Sequence, residues 1–450
     1  MEQKTTDLKK LVSFKYLLIL TIPIFFELLL QMIVGYSDQI MISSDQDAVT
    51  AISNTNTIVN VFIIAFQVFS MGSIILISHY KGAKNYEAER SVYSVAFILS
   101  TIIGIIISVI LLLFSEYFFN WIGLDPKCMG KGLIYIRIVG GCLFLQAILT
   151  NLSAFLKSNS YMKDSTIINA IVNVLNIIGN FILIPHLGIM GVAISSVSAR
   201  AIGVVIMSIV FVKRVKINVF RHPIKDFSTV TMKKILAIGC PTGGEALSYN
   251  ASQIVILAVV NNLNNTGIVN VKAYASMFAT ISYMFTSAIS QAMQVVVGEL
   301  IGQGKIAESK KKVYQTLIAS TLSAIIISCI LYFISDIAYS IFHITDPELL
   351  KIGKTVMLIE IALEIGRAFN IVFVRALQTV GDIAFPTIMS IIFCWAVAVL
   401  GSYLLGGKDV WLNWGLVGVW LAMAADEIFR AIIFLIRFKG DKWQRKRLAR

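Results

Sequence analysis

Charge is scarce in this chain of 450 residues, because only 14% of them are Asp, Glu, Lys or Arg, against about 25% in ordinary soluble domains. Hydrophobic residues make up 57% of the chain, and the mean hydropathy is +0.81. A soluble globule of this size cannot bury so much apolar surface. The composition therefore excludes a soluble enzyme, a disordered chain and a disulfide-stapled secreted domain, and it indicates a polytopic membrane protein.

Patterns that bind metals or supply nucleophiles are also missing from the sequence. The five cysteines are scattered without a CxxC pair, and the four histidines lack the HExxH spacing. GxSxG is absent, and Gly302-Gln303-Gly304-Lys305 lacks the spacing of an ATP-binding loop. These absences argue against an enzyme and against a cofactor. We expect no cleavable signal peptide, because the first apolar stretch continues as a full-length span.

Apolar stretches of about 20 residues or more, the length that spans a membrane, occur twelve times. Six lie in each half of the chain. The sequence therefore predicts an all-α membrane protein with twelve transmembrane helices. The predicted spans are 15–38, 48–78, 92–115, 132–156, 165–184, 190–212, 234–261, 271–301, 313–335, 351–377, 384–405 and 415–437.

Basic residues are concentrated in alternate connecting segments. Those segments and the two termini hold 28 of the 38 Lys and Arg residues, whereas the opposite segments are acidic or neutral. The positive-inside rule then predicts a multi-pass protein of the cytoplasmic membrane with both termini in the cytoplasm. The net charge of +13 is accordingly interpreted as a topology signal. We expect membrane lipids and a small molecule as partners, and no nucleic acid.

The two halves of the sequence resemble each other. Pro23-Ile-Phe-Phe-Glu27 matches Pro241-Thr-Gly-Gly-Glu245, 218 positions later, and four further matches follow in the same order. Because six is an even number of spans, both halves face the same way and are related by a pseudo-twofold axis along the membrane normal. We expect an N-terminal six-helix lobe at 1–212, a cytoplasmic linker at 213–233, and a C-terminal six-helix lobe at 234–450 with a basic tail.

Ionisable residues at membrane depth cost roughly 2.5–3.5 kcal/mol each on insertion scales, so they must pair or face water. Helical periodicity places several of them on shared faces, among them an asparagine stripe on span five that either bonds helices together or lines a site. Ion pairs at i,i+3 in span ten and at i,i+4 in span twelve are structural or functional. The predicted coupling residues are Asp38, Glu245, Glu27 and Glu364, and the predicted cavity residues are Gln31, Asn173, Asn176, Asn180, Tyr249, Glu360, Arg367 and Asn370.

Glu27 and Glu245 are the most informative of these residues. Each follows a proline by four positions in equivalent spans, with no basic residue adjacent in the sequence. Burial and neighbouring charges change a carboxylate's affinity for protons and cations. A cavity that opens alternately to each side can then exchange a bound cation for a substrate. We expect Na⁺ or H⁺ as the coupling ion, bound at Asp38, Glu245 or both, and no other metal.

The chain resembles the multidrug and toxin extrusion family over about residues 12–440. The resemblance lies in two parallel six-span halves, in proline followed by polar residues in spans one and seven, in Gly82-Ala83, in Gly381-Asp382, in Gly415-Leu-Val-Gly418-Val-Trp420 and in the basic tail. It implies two six-helix lobes around a central cleft. It also implies export of cationic or amphipathic compounds in exchange for sodium ions or protons. We expect a monomer.

The resemblance assigns residues in the first lobe. Asp38 matches a family Asp near the outer end of span one, and Asn176 matches an Asn on span five. Asn180 stands where the family places an Asp four residues later. That departure weakens a proton mechanism built on two carboxylates in this lobe.

In the second lobe the resemblance matches Glu245 to a family Glu on span seven. Its partner on span ten would be Glu360 or Glu364, and the sequence does not choose between them. The run from Glu364 through Arg367 to Asn370 resembles one bacterial branch of the family.

One alternative function stays open at this point, a flippase for a lipid-linked precursor within the same superfamily. A cleft dominated by arginine, binding phosphate, would favour it. The arginines that keep this alternative open are Arg137, Arg200, Arg367 and Arg430.

Overall fold

The computed structural model describes residues 7–34, 37–217, 226–342, 344–408, 410–440 and 443. Residues 218–225 of the predicted linker and most of the predicted basic tail lie outside these ranges. The helices are α1 (Leu8–Val12), α2 (Phe14–Val34), α3 (Ser37–Met41), α4 (Gln46–Gly82), α5 (Tyr86–Ile122), α6 (Pro126–Gly141), α7 (Leu143–Ser158), α8 (Met162–Leu187), α9 (Ile189–Val215), α10 (Thr229–Asn261), α11 (Thr266–Gly302), α12 (Ile306–Ile341), α13 (Pro347–Thr379), α14 (Ala384–Phe393), α15 (Leu400–Gly406) and α16 (Gly415–Lys439), with a π-helical segment at Cys394–Val399.

Within the described residues, helices fill all twelve predicted spans, so the prediction of an all-α fold is confirmed. Two spans are built from more than one piece. The fourth consists of α6 and α7, which meet at a bend of 42°. The eleventh runs from α14 through the π-helical segment to α15.

Several helices are longer than the spans predicted from hydropathy. Helix α5 has 37 residues and a kink at Phe114, and its two arms together measure about 55 Å at 1.5 Å per residue, whereas the hydrocarbon core of a bilayer is about 30 Å thick. The helix begins before the predicted span at residue 92, because acidic residues such as Glu87 and Glu89 are favourable in the first turn of a helix. The polar turns at the ends thus belong to the helix, although they lie outside its apolar stretch.

Polarity distinguishes three of the spans. By length and composition, eight helical spans of the described chain are apolar enough to cross a membrane, or nine when the bent pair α6–α7 counts as one. The three that fall short of this criterion are α10, α13 and α16, which are spans seven, ten and twelve. Ionisable side chains in these helices must find partners inside the protein.

Packing divides the chain into two compact units. The first unit contains Phe26–Gly243, and the second contains Asp7–Phe25 and Gly244–Leu448. The boundaries lie inside α2 and α10, and each comes two residues after the proline of its helix. The predicted linker at 213–233 divides the sequence repeat, and its role as a domain boundary stays a prediction.

Acidic loop residues cap several helices. Asp45, Asp125 and Asp346, which helped to predict the sidedness of the chain, accept hydrogen bonds from main-chain N–H groups at the starts of α4, α6 and α13. Asp45 also accepts from Lys131 Nζ at 2.6 Å. That hydrogen bond lowers the pKa of Asp45 below its ordinary value.

In the second unit, α13 packs against α11, α12 and α16. Its contact with α16 depends on Gly366, because a Cβ atom at this position would lie 2.9 Å from the carbonyl carbon of Glu427. The two backbones therefore touch. This close approach positions the ionisable side chains of both helices within reach of each other.

Candidate functional site

The carboxylate of Asp38, on α3, is bound by the two helices that follow the fourth span. Asn180 Nδ2 on α8 donates to Asp38 Oδ1 over 2.6 Å, and Ser196 Oγ on α9 lies 3.4 Å from Asp38 Oδ2. Asn176 Nδ2 donates to the same Ser196 hydroxyl over 3.0 Å. The structure thus brings together three predicted site residues and adds a serine. We call these four residues and Arg200 the Asp38 cluster.

Close packing of α8 on α9 produces this arrangement. A Cβ atom on Gly179 would lie 2.3 Å from Ser195 Oγ, so a larger residue there would force the helices apart. Ser195 Oγ in turn donates to the main-chain oxygen of Asn176 over 2.7 Å. Gly179 on α8 and Ser195 on α9 therefore hold α8 in the register that presents the two asparagine amides to Asp38 and Ser196.

Opposite charges balance in the Asp38 cluster. Arg200, one turn after Ser196 on α9, interacts electrostatically with Asp38. Arg200 Nη1 and Asn180 Oδ1 are buried atoms without a hydrogen-bond partner in the described part of the chain. One carboxylate and one guanidinium leave no net charge, so the cluster has little electrostatic attraction for a further cation.

Glu27 is buried in an ion pair. Lys157 Nζ, at the end of α7, lies 2.7 Å from Glu27 Oε1, and the side chains are 14% and 5% exposed. Asn169 Nδ2 donates to the same oxygen over 2.9 Å, and Thr166 Oγ1 lies 3.3 Å from Glu27 Oε2. This base is not apparent near Glu27 in the sequence, because Lys157 is 130 positions away.

The asparagine stripe of α8 therefore serves both carboxylates of the first span. Asn169 binds Glu27, and Asn180 binds Asp38, about 16 Å further along the helix at 1.5 Å per residue. Asn173, between them, is half-buried, and Gln31 is exposed. The stripe therefore binds ionisable side chains of the neighbouring helices, and its role as the wall of a site stays a prediction.

A second group of charges lies on α13 in the second unit. Arg367 Nη1 donates to Glu364 Oε1, so the i,i+3 pair expected from the sequence is formed. The same nitrogen lies 3.8 Å from Glu360 Oε1, too far for a hydrogen bond. Both glutamates are 1% exposed. This face of α13 therefore carries two carboxylates and one guanidinium away from solvent.

Helix α16 likewise carries two carboxylates and one guanidinium. Arg430 donates through Nε and Nη2 to the two carboxylate oxygens of Asp426, at 3.0 and 2.5 Å. Arg430 Nη2 also lies 3.1 Å from Glu427 Oε1. The i,i+4 pair expected from the sequence is thus a buried bidentate pair, and Glu427 joins it as a carboxylate that sequence inspection did not single out.

Direct contacts join the two helices into one network. Asn370 Nδ2 on α13 donates to the main-chain and side-chain oxygens of Glu427, and Arg367 Nε lies 3.6 Å from Glu427 Oε1. Trp420 Nε1 on α16 donates to Glu360 Oε2 over 2.7 Å. The α13–α16 network consists of Glu360, Glu364, Arg367, Asn370, Trp420, Asp426, Glu427 and Arg430.

Negative charge is in excess in the α13–α16 network. It has four carboxylates and two guanidinium groups, which leaves two surplus negative charges when all six are ionised. Tyrosines line its edge: the Tyr283 ring lies 5.6 Å from the Arg367 guanidinium carbon, and Tyr249 on α10 interacts electrostatically with Arg367. A buried site with this balance attracts cations, in contrast to the neutral Asp38 cluster.

Glu245 lies apart from the two glutamates that the resemblance offered as its partners. Its hydrogen-bond contact on α13 is with Gln378 Nε2, at 3.5 Å. Gln378 is 14 residues after Glu364, about 21 Å along the helix. Arg375 interacts electrostatically with Glu245 and also donates to Gln294 on α11 over 2.8 Å. Glu245 thus contacts α13 at a different level from the two glutamates, although Arg430 and Glu427 of the α13–α16 network interact with it electrostatically.

The residues missed by sequence inspection share one property, which is a partner on another helix. They are Lys157, Ser196, Trp420 and Glu427. Only Glu427 had a detectable signal, since it precedes Arg430 by three residues and thus shares a helix face with it. The other pairings depend on which helices pack together.

Comparisons with known proteins all match this chain to transporters. A family model described as MatE matches residues 23–182 and 241–404, in two segments that begin at Pro23 and Pro241. An uncharacterized transporter of Bacillus subtilis, YisQ, is 30% identical over 454 residues, covering 99% of each chain. A probable multidrug resistance protein NorM of Thermotoga maritima is 24% identical, covering 96% of this chain and 93% of that protein.

Solved structures show the same fold. The outward-facing conformation of a multidrug resistance MATE family transporter of the MOP superfamily superposes with a TM-score of 0.86 at 17% identity, over 98% of this chain and 100% of that one. A MOP superfamily transporter from Pyrococcus furiosus superposes with a TM-score of 0.85 at 17% identity, over 97% of this chain and 98% of that one. That transporter is described as having a binding pocket of reverse polarity, which suggests a different function for it. These matches confirm the predicted fold of twelve helices in two lobes.

Proposed function

The chain belongs to the MatE family of membrane transporters, and from this premise we propose that it is a cation-coupled antiporter that exports cationic or amphipathic small molecules. It is a transporter and not an enzyme. The coupling ion would be Na⁺ or H⁺, and the substrate would leave the cytoplasm as the ion enters. Relatives named as multidrug resistance proteins support export of drug-like compounds.

The excess of buried carboxylates in the second unit supports a cation as the coupling ion. The α13–α16 network holds four carboxylates against two guanidinium groups, all of them largely buried. Uncompensated charge of this kind is costly in a membrane protein unless a cation neutralises it. Binding and release of that cation would therefore change the free energy of the second unit substantially, which is what coupling requires.

The flippase alternative receives less support. It needs arginines that are free to bind phosphate, but three of the four candidates stand beside carboxylates. Arg367 donates to Glu364, Arg430 donates to Asp426, and Arg200 lies near Asp38. A guanidinium already bound by a carboxylate would have to exchange that partner for a phosphate.

The cellular setting follows from the charge distribution of the sequence. The chain is a multi-pass membrane protein, and we place it in the cytoplasmic membrane with both termini in the cytoplasm. We also propose that it works as a monomer. Small molecules and surrounding lipids would be its partners, and no cofactor is needed for exchange driven by an ion gradient.

Transport by reconstituted protein tests the proposal. Liposomes that contain the purified protein and a cationic dye are given a sodium gradient or a proton gradient in separate experiments. We expect dye efflux under at least one gradient, and the effective gradient identifies the ion. Absence of efflux under both gradients, with correctly inserted protein, would contradict the proposal.

Substitutions then test the predicted coupling carboxylate Glu245. Glu245→Gln is expected to abolish gradient-driven efflux while insertion remains normal. Glu348→Gln is the matched control, because Glu348 is exposed at the start of α13. Full activity of Glu245→Gln would remove this residue from the mechanism.

A further inference from the structure

Within the part of the chain that the structure describes, Arg137 on α6 has no carboxylate partner. Its polar contact there is a long one, from Arg137 Nε to Ser115 Oγ on α5 at 3.5 Å. A guanidinium has five N–H donors, so both Nη groups of Arg137 are available to a ligand. The other arginines named for the flippase alternative each stand beside a carboxylate: Arg200, Arg367 and Arg430.

Arg137 faces away from the Asp38 cluster. Tyr135, two residues earlier on α6, is buried and interacts electrostatically with Asp38 and Arg200. Two residues correspond to a rotation of about 200° around a helix, so Arg137 lies on the opposite side of α6. It is exposed there, as is Ile134 one turn earlier. The guanidinium therefore belongs to the outer surface of α6 and not to the charge cluster of the first unit.

The surface of α5 beside Arg137 has the composition of a lipid-facing one. Its large exposed hydrophobic side chains near Ser115 are aliphatic first and aromatic towards the end of the helix: Leu112, Leu113, Phe114, Tyr117 and Trp121. Tyr and Trp at the end of an apolar stretch are typical of the membrane–water interface. Ser115 comes six residues before Trp121, about 9 Å along the helix. Arg137 therefore reaches the lipid-facing surface just below these aromatic residues.

Space is open between Arg137 and the start of α6. Gly130 comes seven residues earlier and lies within about 20° of the same face, and a Cβ atom there would meet no atom within 4 Å. In the other direction, a Cβ atom on Gly141 would lie 2.8 Å from Leu112 Cδ2. The groove between α5 and α6 is thus closed towards the membrane centre and open towards the 123–125 loop.

An unpaired guanidinium at this depth needs a polar partner. A charged side chain that faces hydrocarbon is costly, and a long basic side chain reduces the cost by extending towards the headgroups. Phosphate oxygens match the planar guanidinium, which can donate two parallel N–H bonds to them. The Ser115 hydroxyl, which accepts from Arg137 Nε, can donate its own hydrogen to a further phosphate oxygen.

We propose that Arg137 and Ser115 bind the phosphate diester of a phospholipid in the groove between α5 and α6. The lipid comes from the leaflet at the 123–125 loop, which the predicted topology places on the outer side. Its headgroup occupies the space beside Gly130, and its acyl chains lie along the aliphatic surface of α5. The inference goes beyond the proposed transport function and gives one of the expected lipid partners a defined site.

Glu116 is the competing partner for Arg137 within the chain. It follows Ser115 and is exposed, and among the described residues it forms no ion pair with Arg137. Glu116→Gln should therefore leave lipid binding within a few-fold of the wild type. A gain of tenfold or more in this variant would overturn the proposal, because it would show that Glu116 occupies the guanidinium of the native protein.

Native mass spectrometry of the purified full-length protein, titrated with dioleoyl-phosphatidylglycerol in detergent, tests the site. The wild type should bind a first lipid more tightly than later ones. Arg137→Gln should weaken this first binding at least about tenfold, because it removes charged hydrogen bonds to phosphate. Arg137→Lys keeps the charge but not the planar group, so its loss should be smaller. Lys127→Gln is the matched control, an exposed lysine at the start of α6, and should bind as the wild type does.

Two other ligands separate the phosphate diester from its alternatives. Dioleoylglycerol has the same chains without a phosphate and should not occupy the site. Equal binding of dioleoylglycerol would overturn the proposal, because the chains alone would explain the affinity. An excess of inorganic phosphate should not displace the phospholipid. Displacement would identify a soluble anion as the ligand and would overturn the choice of a lipid.

Unchanged first binding in Arg137→Gln, or an equal loss in Lys127→Gln, would also overturn the proposal. If Arg137→Gln does not fold, Arg137→Lys and Ser115→Ala decide in its place, since each should weaken the first binding and unchanged affinity in both would contradict the site. Binding is measured without an ion gradient. Failure of dye efflux would therefore refute the proposed function alone, and failure of lipid binding would refute this site alone.

Discussion

The buried ion pair of Glu27 and Lys157 allows a quantitative prediction about stability. Replacement of Lys157 by Met removes the cation and leaves the carboxylate, 5% exposed, in a protein interior. Removal of one partner of a buried pair costs about 3–5 kcal/mol. Because the hydrogen bonds from Asn169 and Thr166 remain, we expect the lower end of this range, about 3 kcal/mol.

A double-mutant cycle isolates the contribution of the pair. Glu27→Gln alone leaves Lys157 without its anion, whereas the double variant Glu27→Gln/Lys157→Met leaves no uncompensated charge. We therefore expect the double variant to be more stable than Lys157→Met, with a coupling energy of about 2 kcal/mol between the two sites. Lys163→Met is the matched control, because Lys163 is exposed on the neighbouring helix α8, and it should change stability by less than about 0.5 kcal/mol.

The assay is unfolding of the purified protein in mixed micelles with increasing sodium dodecyl sulfate, followed by circular dichroism. The four variants and the wild type are measured under identical conditions. Strict additivity of the two single changes would refute the reasoning, because it would mean that Glu27 and Lys157 do not interact in the folded protein. A destabilisation by Lys163→Met as large as that by Lys157→Met would refute it as well.

Three further predictions concern other parts of the chain. Gly366→Ala should destabilise the second unit by about 1–3 kcal/mol, since its Cβ would overlap the backbone at Glu427, and it should lower the midpoint of thermal unfolding in detergent. Asn180→Asp places a second carboxylate 2.6 Å from Asp38, so it should add a protonated-acid infrared band in the first unit; no new band would contradict this. Asp45→Ala removes the cap of α4 at a cost of about 1 kcal/mol. The pKa of Asp45 is lowered in the folded protein. Its contribution to stability should therefore be present above the ordinary pKa of an aspartate and disappear as the pH falls through the lowered value. Unfolding curves at several pH values would detect this change.

Properties of single helices were predictable from the sequence. Helical spacing alone put Glu360 and Glu364 on one face, paired Asp426 with Arg430, and aligned the asparagines of α8. These predictions succeed because neighbours on a helix surface are fixed by its geometry. The ends of the helices were harder to predict from the sequence, since hydropathy reports the apolar stretch and not the polar turns that extend it.

Contacts between helices were not predictable in this way. Lys157 and Glu27 are 130 positions apart, and Asn370 and Glu427 are 57 apart. Neither pair has a periodic signature, because each depends on a packing contact such as the one that Gly366 allows. Proximity of Asp38 to Asn176 and Asn180 was expected only through the family resemblance. The hydrogen-bond contact of Glu245 on α13 is with Gln378, and the choice of Glu360 or Glu364 as its counterpart in the mechanism stays a prediction.

The polarity of α13 has a consequence for biosynthesis. Glu360, Glu364 and Arg367 would each add roughly 2.5–3.5 kcal/mol to the cost of inserting this helix alone, and only the pair within the helix offsets part of it. The residues that satisfy the rest, on α16, leave the ribosome later, because α16 begins at Gly415 and α13 ends at Thr379. Span ten can thus reach its final position only after the last helix has entered the bilayer. The charge network thereby makes completion of the C-terminus a condition for assembly of the second unit.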